Sequence, residues 1–231
     1  MTPFDPIFWT ALLKIIGVNI VLSGDNAVVI ALAARSLPAK QQKQAVFWGS
    51  GAAIVMRIVL TLFAVALLAL PWLKLVGSAL LLWIGIKLLT DSDEGEDGIE
   101  GHDSMLAAIK TILVADLVMS LDNVIAVAAA AKNDTVLVMI GLAISIPLII
   151  YASTLLIKVM ERFPIVITIG AALIGWVAGE MAWDEAVIKP FTSQYPHWFE
   201  YLAAAAGAAL VIGVGKLLAN RQQSAAGTHQ A

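Results

Sequence analysis

The chain has 231 residues, of which 60% are hydrophobic and only 13% charged. A soluble domain is about 45–50% apolar and about 25% charged, so this composition excludes an ordinary water-soluble fold and points to the bilayer as solvent. The net charge of −3 and the lack of cysteine argue against a nucleic-acid partner and exclude disulfides and thiolate metal sites.

The opening segment MTPFDPIFW has neither the basic region nor the cleavage site of a removable signal. Its first apolar stretch is therefore expected to remain as a membrane helix. Crossing the hydrocarbon core takes about 20 apolar residues. Seven stretches meet that requirement, roughly 8–34, 43–69, 72–90, 105–131, 135–160, 164–183 and 198–219. Between the first two lies a polar connection, Arg35 to Gln44, broken by Pro38. Asp91 to Asp103 reads DSDEGEDGIEGHD and must lie in water. Its acids and His102 could gather cations, but the composition is that of a flexible linker. Beyond Arg221 the chain is small and polar, and a disordered tail is expected over 221–231.

Basic residues concentrate on the cytoplasmic side of membrane proteins. With the N-terminus outside, Arg35, Lys40, Lys43, Lys87, Lys110, Lys158, Arg162, Lys216 and Arg221 flank the cytoplasmic ends. Only Lys74, Lys132 and Lys189 flank the outer ends. The asymmetry favours an outer N-terminus and a cytoplasmic C-terminus.

The chain also repeats itself. Ile15 to Arg35 reads IIGVNIVLSGDNAVVIALAAR, and Ile112 to Lys132 reads ILVADLVMSLDNVIAVAAAAK. Without gaps Ser23 falls on Ser120, Asp25 on Asp122, Asn26 on Asn123, and Asn19 on Asp116. Leu70-Pro71 and Phe163-Pro164 open the third helix of each half, followed by the aligned runs GSALLLW and GAALIGW. Three crossings per half invert the second copy. The fold class expected is therefore all-α: a polytopic membrane protein of seven transmembrane helices, arranged as a 3+3 inverted repeat plus one extra helix. In sequence the parts are a first repeat (1–90), an acidic cytoplasmic linker (91–104), a second repeat (105–183), then an outer loop with the seventh helix (184–220) and the tail.

Paired polar interruptions in inverted halves are the sequence mark of a transporter's central site. An aspartate near the bilayer centre costs about 2.5–3.5 kcal/mol on insertion scales. Asp25, Asp116 and Asp122 should therefore face one another, a cation, a proton or a water-filled cavity. The candidate metal ligands are Asp25, Asn26, Asp122, Asn123 and Asp116, with Asn19 as a further ligand. This all-oxygen set suits Mg2+, Ca2+ or Mn2+ better than zinc or copper. A local break near Ser23-Gly24 would let Asn19 and Asp25 reach one site; Leu121 stands in place of the glycine in the second copy.

Arg57, in the second apolar stretch, is either an internal counter-ion for these acids or half of a structural salt bridge. Its counterpart in the second half is an uncharged stretch containing Pro147, which is read as a kink. Glu180 aligns with Lys87 near a helix end and is read as solvated. Trp9, Trp72, Trp183 and Trp198 stand at helix ends as interfacial anchors do, and the small residues from Ala203 to Ala209 suggest close helix packing.

The SGDN and SLDN segments with their alanine-rich continuations, in a chain of seven spans, resemble the TerC family of integral membrane proteins. More narrowly, the chain is similar to that family's short bacterial YjbE-type branch of metal transporters. The resemblance covers roughly residues 8 to 219. It implies a multi-pass protein of the bacterial inner membrane that exports manganese, with the family's paired acids carried over to Asp25, Asp116 and Asp122. Family members tend to have an acid where Asn19 stands, a departure that alters the charge of the site.

The function expected is secondary transport of a divalent cation, Mn2+ first, out of the cytoplasm by alternating access, with proton exchange as coupling. The implied partners are the lipid bilayer and the cation; no cofactor and no enzymatic step are expected. G-x-x-x-x-G-K-[ST] does not occur, so the chain would not hydrolyse ATP. Two rivals remain. One is a non-transporting scaffold in a metal or tellurite stress-resistance complex. The other is an intramembrane aspartyl protease, whose Gly-x-Gly-Asp motif is incomplete in Leu22-Ser23-Gly24-Asp25.

Overall fold

A computed structural model describes residues 9–10, 12–13, 16–17, 24–68, 70–90, 101–130 and 135–228, with side chains left out at 61–68, 101–104, 122–130, 135–139, 141–143, 145 and 222–228. Regular structure among the described residues is helical. The main helices are α1 (Gly24–Ala34), α2 (Ala39–Leu68), α3 (Leu73–Thr90), α4 (Gly101–Ala130), α5 (Thr135–Arg162), α6 (Ile165–Trp183) and α7 (Trp198–Thr228), with a single turn at Lys189–Thr192. Among the described residues Leu73–Thr90, Ile165–Trp183 and Trp198–Arg221 are long and apolar enough to cross a membrane. The acidic stretch at 91–100 lies outside the described residues.

α7 continues past Arg221 as helix to Thr228. Residues 221–228 are rich in Arg, Gln and Ala, which are good helix formers. Extending an existing helix avoids the nucleation cost.

The chain forms two compact units that do not follow the boundaries of the repeat. One comprises residues 1–70 and 105–158, the other 71–104 and 159–231. The first two helical stretches of both halves thus share a unit, and the third helix of each half joins the final helix.

In the unit of α3, α6 and α7, close packing is set by glycine. Gly175 and Gly179 stand one helical turn apart on α6. A Cβ on Gly175 would lie 2.5 Å from the Gly207 carbonyl oxygen, and one on Gly179 would be 2.7 Å from Ala204 Cα. These obstacles are backbone, so α6 and α7 touch through their main chains, as small-residue membrane contacts do. Val211 fills the space beside Gly85, and Leu89 that beside Gly215. Ser78 Oγ donates to the Ala178 carbonyl at 2.6 Å. These pairings run α3 antiparallel to α6 and parallel to α7.

The end of this bundle carries a polar junction that sequence reading missed. Glu185 is 1% exposed. Its Oε2 accepts backbone N–H bonds from Lys74 at 2.9 Å and Leu75 at 3.3 Å, and Oε1 accepts one from Val187 at 3.3 Å. The carboxylate thereby caps the N-terminus of α3, where the helix dipole favours negative charge. Just before α3, Trp72 takes a left-handed φ of 68°, an uncommon conformation for a bulky residue. Replacing Glu185 with alanine strands these buried donors and is expected to cost about 1–3 kcal/mol, read as a lowered unfolding midpoint in detergent.

Asp184 is the second acid of the junction. It pairs with Lys74 at 3.0 Å and Lys189 at 2.5 Å. Partial burial pushes its carboxyl up, but Lys189 and Lys74 outweigh that and hold it below its ordinary value. A depressed pKa means that the stabilisation is complete above the unfolded value, about pH 3.9, and is lost as pH falls through the folded value. The stability difference between wild type and Asp184→Asn is therefore expected to be constant near neutral pH and to shrink below about pH 4. Unfolding scans in detergent at both pH values test this.

Candidate functional site

The unit containing α1, α2 and the main part of α4 holds the charges singled out in the repeat. α1 begins at Gly24, so Asp25 sits in its first turn. The backbone N–H of Asn26 donates to Asp25 Oδ1 at 2.7 Å. Asn26 is 2% exposed, and the rest of α1 is almost wholly buried through Ala34. The helix ends in a turn where Leu37 N–H donates to the Ala34 carbonyl at 3.1 Å and Gln42 Nε2 to the Arg35 carbonyl at 2.9 Å.

α2 and α4 run parallel. A Cβ on Gly49 would meet Ile112 Cδ1 at 2.9 Å, and two turns further along Arg57 meets Asp116. Arg57 Nη2 lies 2.5 Å from Asp116 Oδ1, and Arg57 Nε donates to Ser120 Oγ at 3.0 Å. Ser120 Oγ in turn donates to Asp116 Oδ2 at 3.3 Å. Arg57, Asp116 and Ser120 are 2%, 5% and 0% exposed. Further along α2, Leu60 packs against Met56 and Leu117. Four residues separate Asp116 from Ser120, which puts both on one face of α4.

Asn19 and the expected break at Ser23-Gly24 fall on residues 18–23, outside the described residues, although Ile16-Gly17 is helical. Asp122 and Asn123 lie in the unbroken run of α4, with side chains outside the described set. Among the described residues no group of three or more His, Cys, Asp or Glu is arranged to hold a metal.

Two further residues were less legible. Ser120 aligned with Ser23 but carried no assigned role; the structure puts it between Arg57 and Asp116. Ser50 precedes Arg57 by seven residues, about two helical turns, on the same face of α2. It is 1% exposed, and its hydroxyl has no hydrogen-bond partner among the described residues. A buried serine in an apolar helix gives little sequence signal.

Outside this unit, Glu180 accepts a 2.6 Å hydrogen bond from Trp176 Nε1, while Lys87 lies 5.6 Å from the Trp83 ring centroid. The repeat-related positions therefore use opposite charges on the same tryptophan, four residues earlier. Pro147 lies inside α5.

The sequence pattern of the integral membrane protein TerC family matches residues 4–223. Uncharacterized membrane protein YjbE of Bacillus subtilis is 44% identical over 185 residues, covering 80% of this chain and 84% of that protein. Uncharacterized membrane protein YceF of the same organism is 27% identical over 234 residues, covering 96% and 89%. UPF0053 inner membrane protein YgdQ of Escherichia coli K12 is 29% identical over 177 residues, covering 69% and 74%. No solved structure matches the chain. With a family match across nearly its whole length and a charged cluster inside apolar helices, this chain belongs to the TerC family of integral membrane proteins.

Proposed function

We propose that the protein is a secondary transporter that exports a divalent cation, Mn2+ in preference, across the bacterial inner membrane. It would work as seven spans in an inverted repeat, with the N-terminus outside and the C-terminus in the cytoplasm. Asp25 and Asp122 serve as central ligands, and Asn26, Asn123, Asp116 and Asn19 complete or flank the shell. The observation that carries the reading is the ion pair of Arg57 with Asp116, an acid of the repeat, buried inside apolar helices. Ionisable groups inside a membrane are expensive and by default mark an ion pathway. Their oxygen ligands suit a hard or borderline divalent ion. The antiparallel run of α3 and α6 supports the inverted arrangement, and Lys74 and Lys189, two of the three basic residues assigned outside, both bind Asp184.

Rocking of one part of the molecule against another would open the site to each side in turn. Protons are the proposed exchange ion, because carboxylates released by a metal can take them up.

The scaffold reading draws on one specific observation: Asp116 is already bonded by Arg57 and Ser120, as in a structural ion pair. Growth under toxic Mn2+ separates the two. A bacterial strain lacking its own manganese exporters and producing this protein is expected to hold less cell manganese than the empty-vector strain. Alanine at both Asp25 and Asp122, with membrane levels unchanged, should abolish the difference. Full protection by the double variant would favour the scaffold.

A further inference from the structure

The transport reading leaves Arg57 without a part, although it is the largest fully buried side chain among the described residues. A guanidinium does not deprotonate in proteins, so this cation stays charged throughout any transport cycle. It is held by Asp116 at 2.5 Å and Ser120 at 3.0 Å. Arg57 therefore engages a carboxylate that the transport reading gives to the travelling ion.

Two cations cannot both draw full stabilisation from the same acid, because each weakens the hold of the other. The contact geometry divides the work unevenly. Nη2 binds the carboxylate, whereas Nε is anchored to Ser120 Oγ. Ser120 can keep hold of Nε while Nη2 leaves Asp116. The matching stretch of the second half is uncharged, so Arg57 is an addition to the repeated ligand set and not one of its paired members.

We propose that Arg57 is a tethered stand-in for the transported cation. It pairs with Asp116 when the site is empty, and it gives up Asp116, pivoting on Ser120, when a divalent ion enters. This rests on the transport reading and adds a step to it. With Asp116 paired, the empty carrier has one bare charge fewer to return across the membrane, and the exchanged protons answer for the remaining acids. Returning to Asp116, Arg57 also helps to eject the cargo.

The test uses the full-length protein in proteoliposomes and three measurements with Mn2+: equilibrium binding, exchange with Mn2+ on both sides, and net flux into Mn2+-free vesicles. Exchange needs no empty-carrier return; net flux does. In Arg57→Gln, Mn2+ is expected to bind about tenfold tighter, and the ratio of net flux to exchange to fall about tenfold. Arg57→Lys keeps the charge, and with it the fold, but lacks the fork that joins Ser120 to Asp116. It should move both quantities in the same direction by about threefold. If Arg57→Gln does not fold, Arg57→Lys decides the matter, and wild-type values in both measurements overturn the proposal. Unchanged or weaker binding in Arg57→Gln, or net flux and exchange lost in parallel, overturns it as well. In those cases wild-type transport leaves the transport reading standing. No Mn2+ movement by folded wild type overturns both.

Discussion

Replacing Asp116 with alanine is expected to destabilise the protein by about 3–5 kcal/mol, because it removes one partner of a buried ion pair and leaves the other in place. Arg57 is 2% exposed and pairs with Asp116 at 2.5 Å. The guanidinium loses the carboxylate at 2.5 Å, and alanine puts no opposite charge in its place. An apolar pair of similar volume needs no such compensation, and exchanging a buried ion pair for one is often neutral or stabilising. The double variant Arg57→Met/Asp116→Leu should therefore recover most of the stability lost in Asp116→Ala. Denaturant unfolding in mild detergent checks both values. A double variant no more stable than Asp116→Ala would show that the one-sided loss of the ion pair is not the cause.

The second large effect lies in the other unit. Gly179→Leu is expected to cost at least about 3 kcal/mol, the upper end of ordinary overpacking. Its first side-chain carbon would meet Ala203 carbonyl carbon and Ala204 Cα, each at 2.7 Å. Backbone cannot rotate away as a side chain can, so α6 and α7 would have to separate, opening the contacts at Gly175 and Gly207 as well. Gly213→Ala on the same α7 is the control. Its Cβ meets nothing within 4 Å, and alanine favours the helix by about 1 kcal/mol over glycine. Unfolding midpoints in detergent should fall sharply for Gly179→Leu and hold or rise for Gly213→Ala.

The all-helical character was legible because long apolar runs have few other solutions in a bilayer. The close packing near Ala203 was legible too, since a run of small residues invites backbone contact; its partner Gly175 and Gly179 on α6 had not been singled out. The grouping of helices into two units was not legible. How the third helices pack depends on side-chain fit between segments 100 residues apart, as with Ser78 and Ala178. At the site, Asp25 and Asp116 stood out because an acid in an apolar run is costly. Ser120 did not, for a serine costs little and gains its role only once Arg57 lies beside it. Glu185 was missed for the opposite reason: near a helix end an acid looks solvated, and its burial arises from the α3 N-terminus folding onto it.

The central claim is that paired acids of the repeat carry a divalent cation. Its most direct test is Mn2+ uptake into proteoliposomes by wild type, Asp25→Asn and Asp122→Asn, each shown to be folded. The account predicts uptake by wild type that is lost in both variants and exceeds that of Zn2+. Undiminished Mn2+ uptake in either variant, or none by folded wild type, would contradict it.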